Sequence, residues 1–184
     1  LLNWMTNGCV LALSISRHMD SVNMAVGRTS YHHGDLRSKL IETAMECIER
    51  DGAAKLSLRK IAAEIGVSHN APYMHFATKD VLLDAVVAQG FAMLRAAIAD
   101  AGGSERLDAG NWDERIKRGL RAYVAFARER PGLYALMHVP RGAADGADAP
   151  ERSDSDADGA GAATLDGLSA TLETGQRLGK VRAG

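Results

Sequence analysis

Apolar positions along the chain recur at intervals of three and four, the period of helices that bury one stripe. In "LRSKLIETAMECIERDG", Leu36, Leu40, Ala44, Cys47 and Ile48 share a stripe, while Arg37, Glu42, Glu46 and Glu49 occupy the other faces. Asp35 is a candidate N-cap, and Asp51-Gly52 supplies the stop, since glycine tolerates the left-handed backbone that ends helices. Ser57 then caps a second, short helix with Ile61, Ala62 and Ile65 on its apolar face, closed by Gly66. Val67 is expected to be buried in the turn. Ser68 caps a third short helix, with Pro72 at the end of its first turn, ending near Phe76. Thr78 caps a fourth, with Asp80 in its first turn, where negative charge suits the helix dipole. It carries Leu82, Ala85, Val86, Gln89, Met93 and Ala96, and runs to about Ala99.

"DAGGSE" breaks the pattern. The next period predicts a helix from about Asn111 to Glu129, with Trp112, Ile116, Leu120, Tyr123, Val124 and Ala127 facing inward. Pro131 ends it and opens another, "PGLYALMH". Residues 141–163 are rich in Ala, Gly, Asp and Ser without an apolar period, and are read as a mobile acidic linker. Between Asp145 and Glu173 there are eight acids against one base. They lack the spacing of a calcium loop, so they read as solvated linker. A weaker amphipathic helix follows, carrying Leu165, Leu168, Leu172 and Leu178.

Composition narrows the class. Among 184 residues, 46% are hydrophobic but only 5% aromatic, which favours closely packed helices over sheet. The sequence predicts an all-α protein. A three-helix unit at residues 31–80, with a helix-turn-helix at 57–76, precedes a helical region at 81–184. Two cysteines, Cys9 and Cys47, make no disulfide framework, so a reducing cytoplasm is expected. The first residue is Leu, and residues 1–30 read as a poorly ordered extension, with Met19 and Met24 as candidate natural starts. There is no basic region typical of a signal peptide. No stretch approaches the roughly 20 apolar residues of a membrane span, so no membrane partner is expected.

The chemistry concentrates in "SLRKIAAEIGVSHNAPYMHF", Ser57 to Phe76. Two short helices around a tight turn bury little by themselves and must lean on Leu36 to Ile48. The second is then held out as a ridge carrying Ser68, His69, Asn70, Tyr73 and His75. Such a ridge fits the roughly 12 Å major groove of duplex DNA. Asn70 suits paired hydrogen bonds with adenine, and Ala71 and Pro72 offer apolar contact to thymine methyls. Tyr73, His75 and Lys79 lie where phosphates run, and the helix starts at Ser57 and Thr78 present positive partial charge. Helix-Gly-helix patterns also occur in proteins that never meet DNA. From Arg28 to Asp80 there are eight Lys and Arg against seven Asp and Glu, a net of +1, so counterion release by one copy is modest. A dimer would double the phosphate contacts.

The residues carry a resemblance. "YHHGDLR", "LSLRKIAAEIGVS", "PYMHF" and "TKDVLL" together resemble the DNA-binding domain of the TetR family of bacterial repressors, over Tyr31 to about Phe91. "YVAFARERPGLYALMH" resembles the first part of one C-terminal domain type in that family. The resemblance implies a recognition helix at Ser68–His75, with backbone contacts from Ser57, Tyr73, His75 and Lys79. It also implies a C-terminal domain that binds a small effector and dimerises, a palindromic operator, and coupling through Val81–Ala99. The family normally continues with two further long helices that form most of the dimer interface, and this chain stops at Gly184 before them.

Other clusters carry less. His32, His33 and Asp35 are a metal set, a DNA-contacting arm or a surface turn, and adjacent histidines point to different sides of a chain. Tyr123, Phe126, Tyr134, Met137 and His138 are either ordinary core or an effector pocket between helices. No nucleophile, base and orienter come together, and no phosphate-cradling glycine loop or Cys/His metal spacing is present. No enzyme activity and no cofactor are expected. The rival reading is a helical ligand-binding or protein-interaction module whose polar ridge meets another protein.

Overall fold

Six α-helices and two short 3-10 turns make up the described residues, with no strand among them. The computed structural model describes residues 33–103, 107–138 and 156–182. The extension at 1–30, His32 and the linker residues 141–155 lie outside them, as do the side chains of His33 and Asp35.

Helix α1 (His33–Asp51) starts two residues ahead of the expected cap at Asp35. An aspartate favours a helix both at its cap and in its first turn, which the sequence does not distinguish. The predicted stripe is buried at Leu40, Ala44, Cys47 and Ile48, and Ile41 and Met45 widen it. A 3-10 turn (Ala53–Lys55) follows. Helix α2 (Leu58–Ile65) begins as predicted, with Ser57 Oγ accepting the Lys60 N–H at 3.2 Å. It ends at Gly66, in the left-handed region at φ 73°. There Gly66 N–H donates to the Ala63 carbonyl at 3.3 Å, and Val67 N–H to that of Ala62 at 3.0 Å. This is the Schellman closure, which satisfies carbonyls that the helix end leaves over. Val67 is only half-buried, contrary to expectation, because the closure uses its backbone and leaves its side chain at the rim.

The third element also differs from expectation. It is a turn followed by a 3-10 helix (Ala71–Met74), with no α-helix starting at Ser68. An α-helix from Ser68 would need residue 72 to donate to the Ser68 carbonyl, and proline has no N–H. That carbonyl instead accepts the Ala71 N–H at 3.0 Å, and the tighter winding follows.

Helix α3 (Lys79–Gly102) is capped by Thr78, whose Oγ1 accepts the Val81 N–H at 3.2 Å. At about 1.5 Å per residue it spans roughly 36 Å. It buries Leu82, Val86, Val87 and Leu94, while Gln89 and Ala96 are exposed. The stripe rotates along α3 because the helix packs first on α1 and then among α4 (Trp112–Glu129), α5 (Pro131–Met137) and α6 (Asp156–Arg177). Contrary to the sequence expectation, α3 is long and apolar enough by composition to cross a membrane. Here Leu82, Val86, Val87 and Leu94 are buried against those neighbours, while Val81 is exposed.

Helix α4 buries Trp112 and Phe126, but Leu120 and Val124, expected to face inward, are exposed. Helix α6 begins at Asp156, so residues 156–163, read as linker, are helical. The cause is tertiary. Ala157 is fully buried, and Arg95 of α3 donates to the Ala160 carbonyl at 2.8 Å and to Thr164 Oγ1 at 3.2 Å. Most helical stability in proteins comes from such packing, which a sequence with no apolar period does not announce. Further along α6, Leu165, Leu168 and Leu172 stay exposed. The indole of Trp112 meets α6 at Gly175, where an added Cβ would lie 2.6 Å from Cζ2.

Space around Gly66 is open, so its requirement is conformational alone. Gly66→Ala should cost about 1–2 kcal/mol, the price of a left-handed non-glycine residue, read as a lowered urea midpoint with an unchanged slope.

Candidate nucleic-acid interface

The surface around Ser68–His75 is shaped by what is buried beneath it. Pro72 and Phe76 are both nearly inaccessible, Phe76 at 1% exposure. Two bonds close this end of the element: the Pro72 carbonyl accepts N–H groups from His75 at 3.0 Å and Phe76 at 2.9 Å. Arg37 of α1 stacks over the Phe76 ring, its guanidinium carbon 5.4 Å from the centroid. With this inner edge fixed, Ser68, His69, Asn70 and Tyr73 face outward, Tyr73 at 46% exposure. Ala71 and His75 are half-buried.

Two sequence expectations change here. Pro72 is the anchor of the element, so its ring does not offer the apolar contact expected of it. Met74 takes the exposed apolar position, at 82% exposure, and the sequence reading passed over it. In a 3-10 helix residues three apart eclipse, which puts Met74 in line with Ala71. Ser57 is exposed, with its oxygen occupied as a helix cap. Lys79 donates from Nζ to the Ala54 carbonyl at 3.1 Å, which holds its ammonium against the turn before α2.

An ionic frame ties α1 to α2 behind this surface. Lys60 Nζ lies 2.6 Å from Asp51 Oδ2, and Arg50 bridges Asp51 at 3.0 Å and Glu64 at 2.7 Å. The buried Cys47 thiol donates to Glu64 Oε2 at 3.2 Å. Its own pKa is pushed up by burial and then by Glu64, so it is held as a thiol. The hydrogen bond from Lys60 and then that from Arg50 hold the Asp51 carboxyl below its ordinary range. Cys47 and then Arg50 do the same for Glu64.

The second candidate cluster is assembled only in part. The hydroxyls of Tyr123 and Tyr134 are 2.7 Å apart, with their rings edge to face. That bond, followed by burial, pushes the Tyr123 pKa up to about 12. The His138 ring lies 4.2 Å from that of Tyr134, and its Nδ1 is 2.8 Å from the Tyr134 carbonyl. Phe91 of α3, which the sequence reading did not include, stands 6.3 Å from His138. Phe126 and Met137 instead belong to the buried core. Among the described residues no three His, Cys, Asp or Glu side chains gather as a metal set.

Comparison with known proteins bears on both regions. A family model described as "Bacterial regulatory proteins, tetR family" matches residues 40–86, and one described as "Tetracyclin repressor-like, C-terminal domain" matches 116–183. An HTH-type transcriptional regulator of Saccharopolyspora erythraea is 31% identical over 98 residues, which cover 52% of this chain and 41% of that protein. The nucleoid occlusion factor SlmA of Aliivibrio fischeri is 28% identical over 102 residues, 55% of this chain and 50% of its own. The chain thus spans half or less of the length of these relatives. A solved structure of a protein of unknown function from Rhodococcus sp. RHA1 superposes with TM-score 0.68 at 34% identity, covering 85% of this chain and 76% of that one. A putative tetR family transcription regulator from Shewanella sp. PV-4 shares the fold, with TM-score 0.56 at 22% identity, covering 77% and 70%.

The ionic frame makes its own prediction. Asp51 and Glu64 bind protons less readily folded than unfolded. They therefore contribute stability above the ordinary carboxylate range and lose it as pH falls through their lowered folded values. In the Asp51→Asn, Glu64→Gln double variant the urea midpoint should fall less steeply than in wild type between about pH 5 and 3.

Proposed function

We infer that this chain, which belongs to the TetR family of bacterial regulatory proteins, is a sequence-specific DNA-binding transcriptional regulator. The observation that carries the reading is the outward set His69, Asn70, Tyr73 and Met74, standing on the buried pair Pro72 and Phe76. A rigid base with short polar and apolar groups above it is what a major groove requires of a reading element. Asn70 pairs with an adenine edge, and Met74 with Ala71 meets thymine methyls in the place first assigned to Pro72. Tyr73, His75, Ser57 and Lys79 approach phosphates. Residues 31–80 form the reading domain and 81–184 the regulatory one.

The chain acts as a ligand-responsive repressor in the cytoplasm, binding a palindromic operator as a dimer, without an enzymatic step. The near-neutral charge of residues 28–80 supports the dimer, since one copy makes few net phosphate contacts. The exposed Leu165, Leu168 and Leu172 offer a second copy an apolar ridge. The effector, a small molecule, binds beside Tyr123, Tyr134, His138 and Phe91, and Phe126 and Met137 serve as the wall behind them.

Duplexes enriched by the purified chain from a random library test the reading by fluorescence anisotropy at several salt concentrations. Wild type should bind with salt-dependent affinity. Asn70→Ala should lose about 1–3 kcal/mol and relax preference at one base pair. Tyr73→Ala should weaken binding to all sequences alike, with helicity retained. A chain that enriches no duplex at low ionic strength favours the rival, a protein-interaction module.

A further inference from the structure

We propose that Glu49 is a positioning residue that fixes the angle between the reading domain and α5, and through it the distance between the two reading elements of a dimer. The proposal rests on the DNA-binding reading above.

Helix α5 starts without a cap of its own, for Arg130 provides no capping side chain. The first N–H groups of a helix have no partner within it and must find one elsewhere. In α5 each is accounted for. Pro131 has none to offer, and Tyr134 N–H donates to the Arg130 carbonyl at 2.9 Å. The two between them go to one carboxylate on α1: Gly132 N–H donates to Glu49 Oε2 at 3.0 Å and Leu133 N–H to Oε1 at 2.8 Å. The cap is thus supplied from 83 residues upstream, across the whole of α2, α3 and α4. The backbones themselves touch here. A Cβ added at Gly132 would lie 2.9 Å from the Ile48 carbonyl oxygen and 3.2 Å from Glu49 Cα.

The nature of the contact decides its role. Leu133 and the α1 stripe pack as apolar surfaces, which tolerate small rotations. Two charge-assisted bonds donated by backbone N–H groups to both oxygens of one carboxylate are directional and do not. Glu49 lies on the same last turns of α1 as Arg50 and Asp51, which hold α2. One end of α1 therefore carries the reading domain on one side and grips α5 on the other. Tyr134, whose ring meets Tyr123 and His138, is the next residue along α5. Loss of the grip leaves the reading element intact but frees its angle.

A selection for spacing tests this. The full chain is offered duplexes carrying its two selected half-sites with spacers of every length, and the enriched spacers are sequenced. Wild type should enrich one spacer. Glu49→Gln and Glu49→Ala should lose that single preference, enriching spacers one base pair shorter and longer beside it, with half-site sequence unchanged. Glu46→Gln, the same charge change at an exposed α1 position, should keep the wild-type profile. Glu49→Gln should also speed hydrogen exchange at the Gly132 and Leu133 amides. That measurement decides if Glu49→Ala fails to fold. Variants that bind more weakly but retain the wild-type spacer would reduce Glu49 to a stability role and overturn the proposal, as would unchanged exchange. A wild-type chain that enriches no duplex at all overturns the DNA reading and this proposal with it.

Discussion

The stripe of α1 from Leu40 to Ile48 is the surface on which the N-terminal part of the described molecule depends. Helix α2 has eight residues and the following 3-10 element four, too few to bury a core of their own. Isolated helices of that length are not stable in water. Against α1 they bury Leu58, Ile61, Ala62, Pro72 and Phe76, and α3 adds Leu82 and Val86 from the far side. Because the stripe is apolar, it supplies attraction without direction. Direction comes from the polar contacts at the end of α1: Arg50 and Asp51 toward α2, and Glu49 toward α5.

The exposed side of the reading element follows from the buried one. Pro72 denies the chain an α-helical bond, forces the tighter winding, and fills the core itself. Ser68, His69, Asn70, Tyr73 and Met74 are left outward, while Ala71 and His75 stay half-buried. Met74 at 82% exposure and Tyr73 at 46% are the apolar surface that this winding leaves outside. The ionic frame behind them is largely solvent-facing, so its contribution is alignment more than cohesion.

Much of this was legible in the sequence. The caps at Ser57 and Thr78, the stop at Gly66, the burial of Cys47 and the exposure of Asn70 and Tyr73 all follow from local rules that act within a few residues. What was not legible depends on distant partners. Residues 156–163 carry no helical signal of their own and are helical because Arg95 and the α3 surface hold them. The outward turn of Leu120 and Val124 and the rotation of the α3 stripe reflect which neighbours a helix meets, which periodicity averages away. Pro72 was placed correctly along the chain but on the wrong side of it. Its rank as an apolar residue suggested a contact, and its missing N–H decided the geometry. Phe91 and Glu49 were invisible as site residues, since each matters only beside a residue far along the chain.

The meeting of Trp112 with Gly175 has a mechanical meaning. The indole edge lies where any side chain on that residue would be, with Val181 closing the same space at 2.8 Å. Sliding α6 along its axis by one turn would bring Thr171 under the ring from one direction, or run past the helix end at Arg177 from the other. The glycine is therefore a notch with a single seat. Translation of α6 is blocked at that seat, and Arg95 bonded to Ala160 and Thr164 holds the same helix near its start, so α6 is pinned at two points along its length.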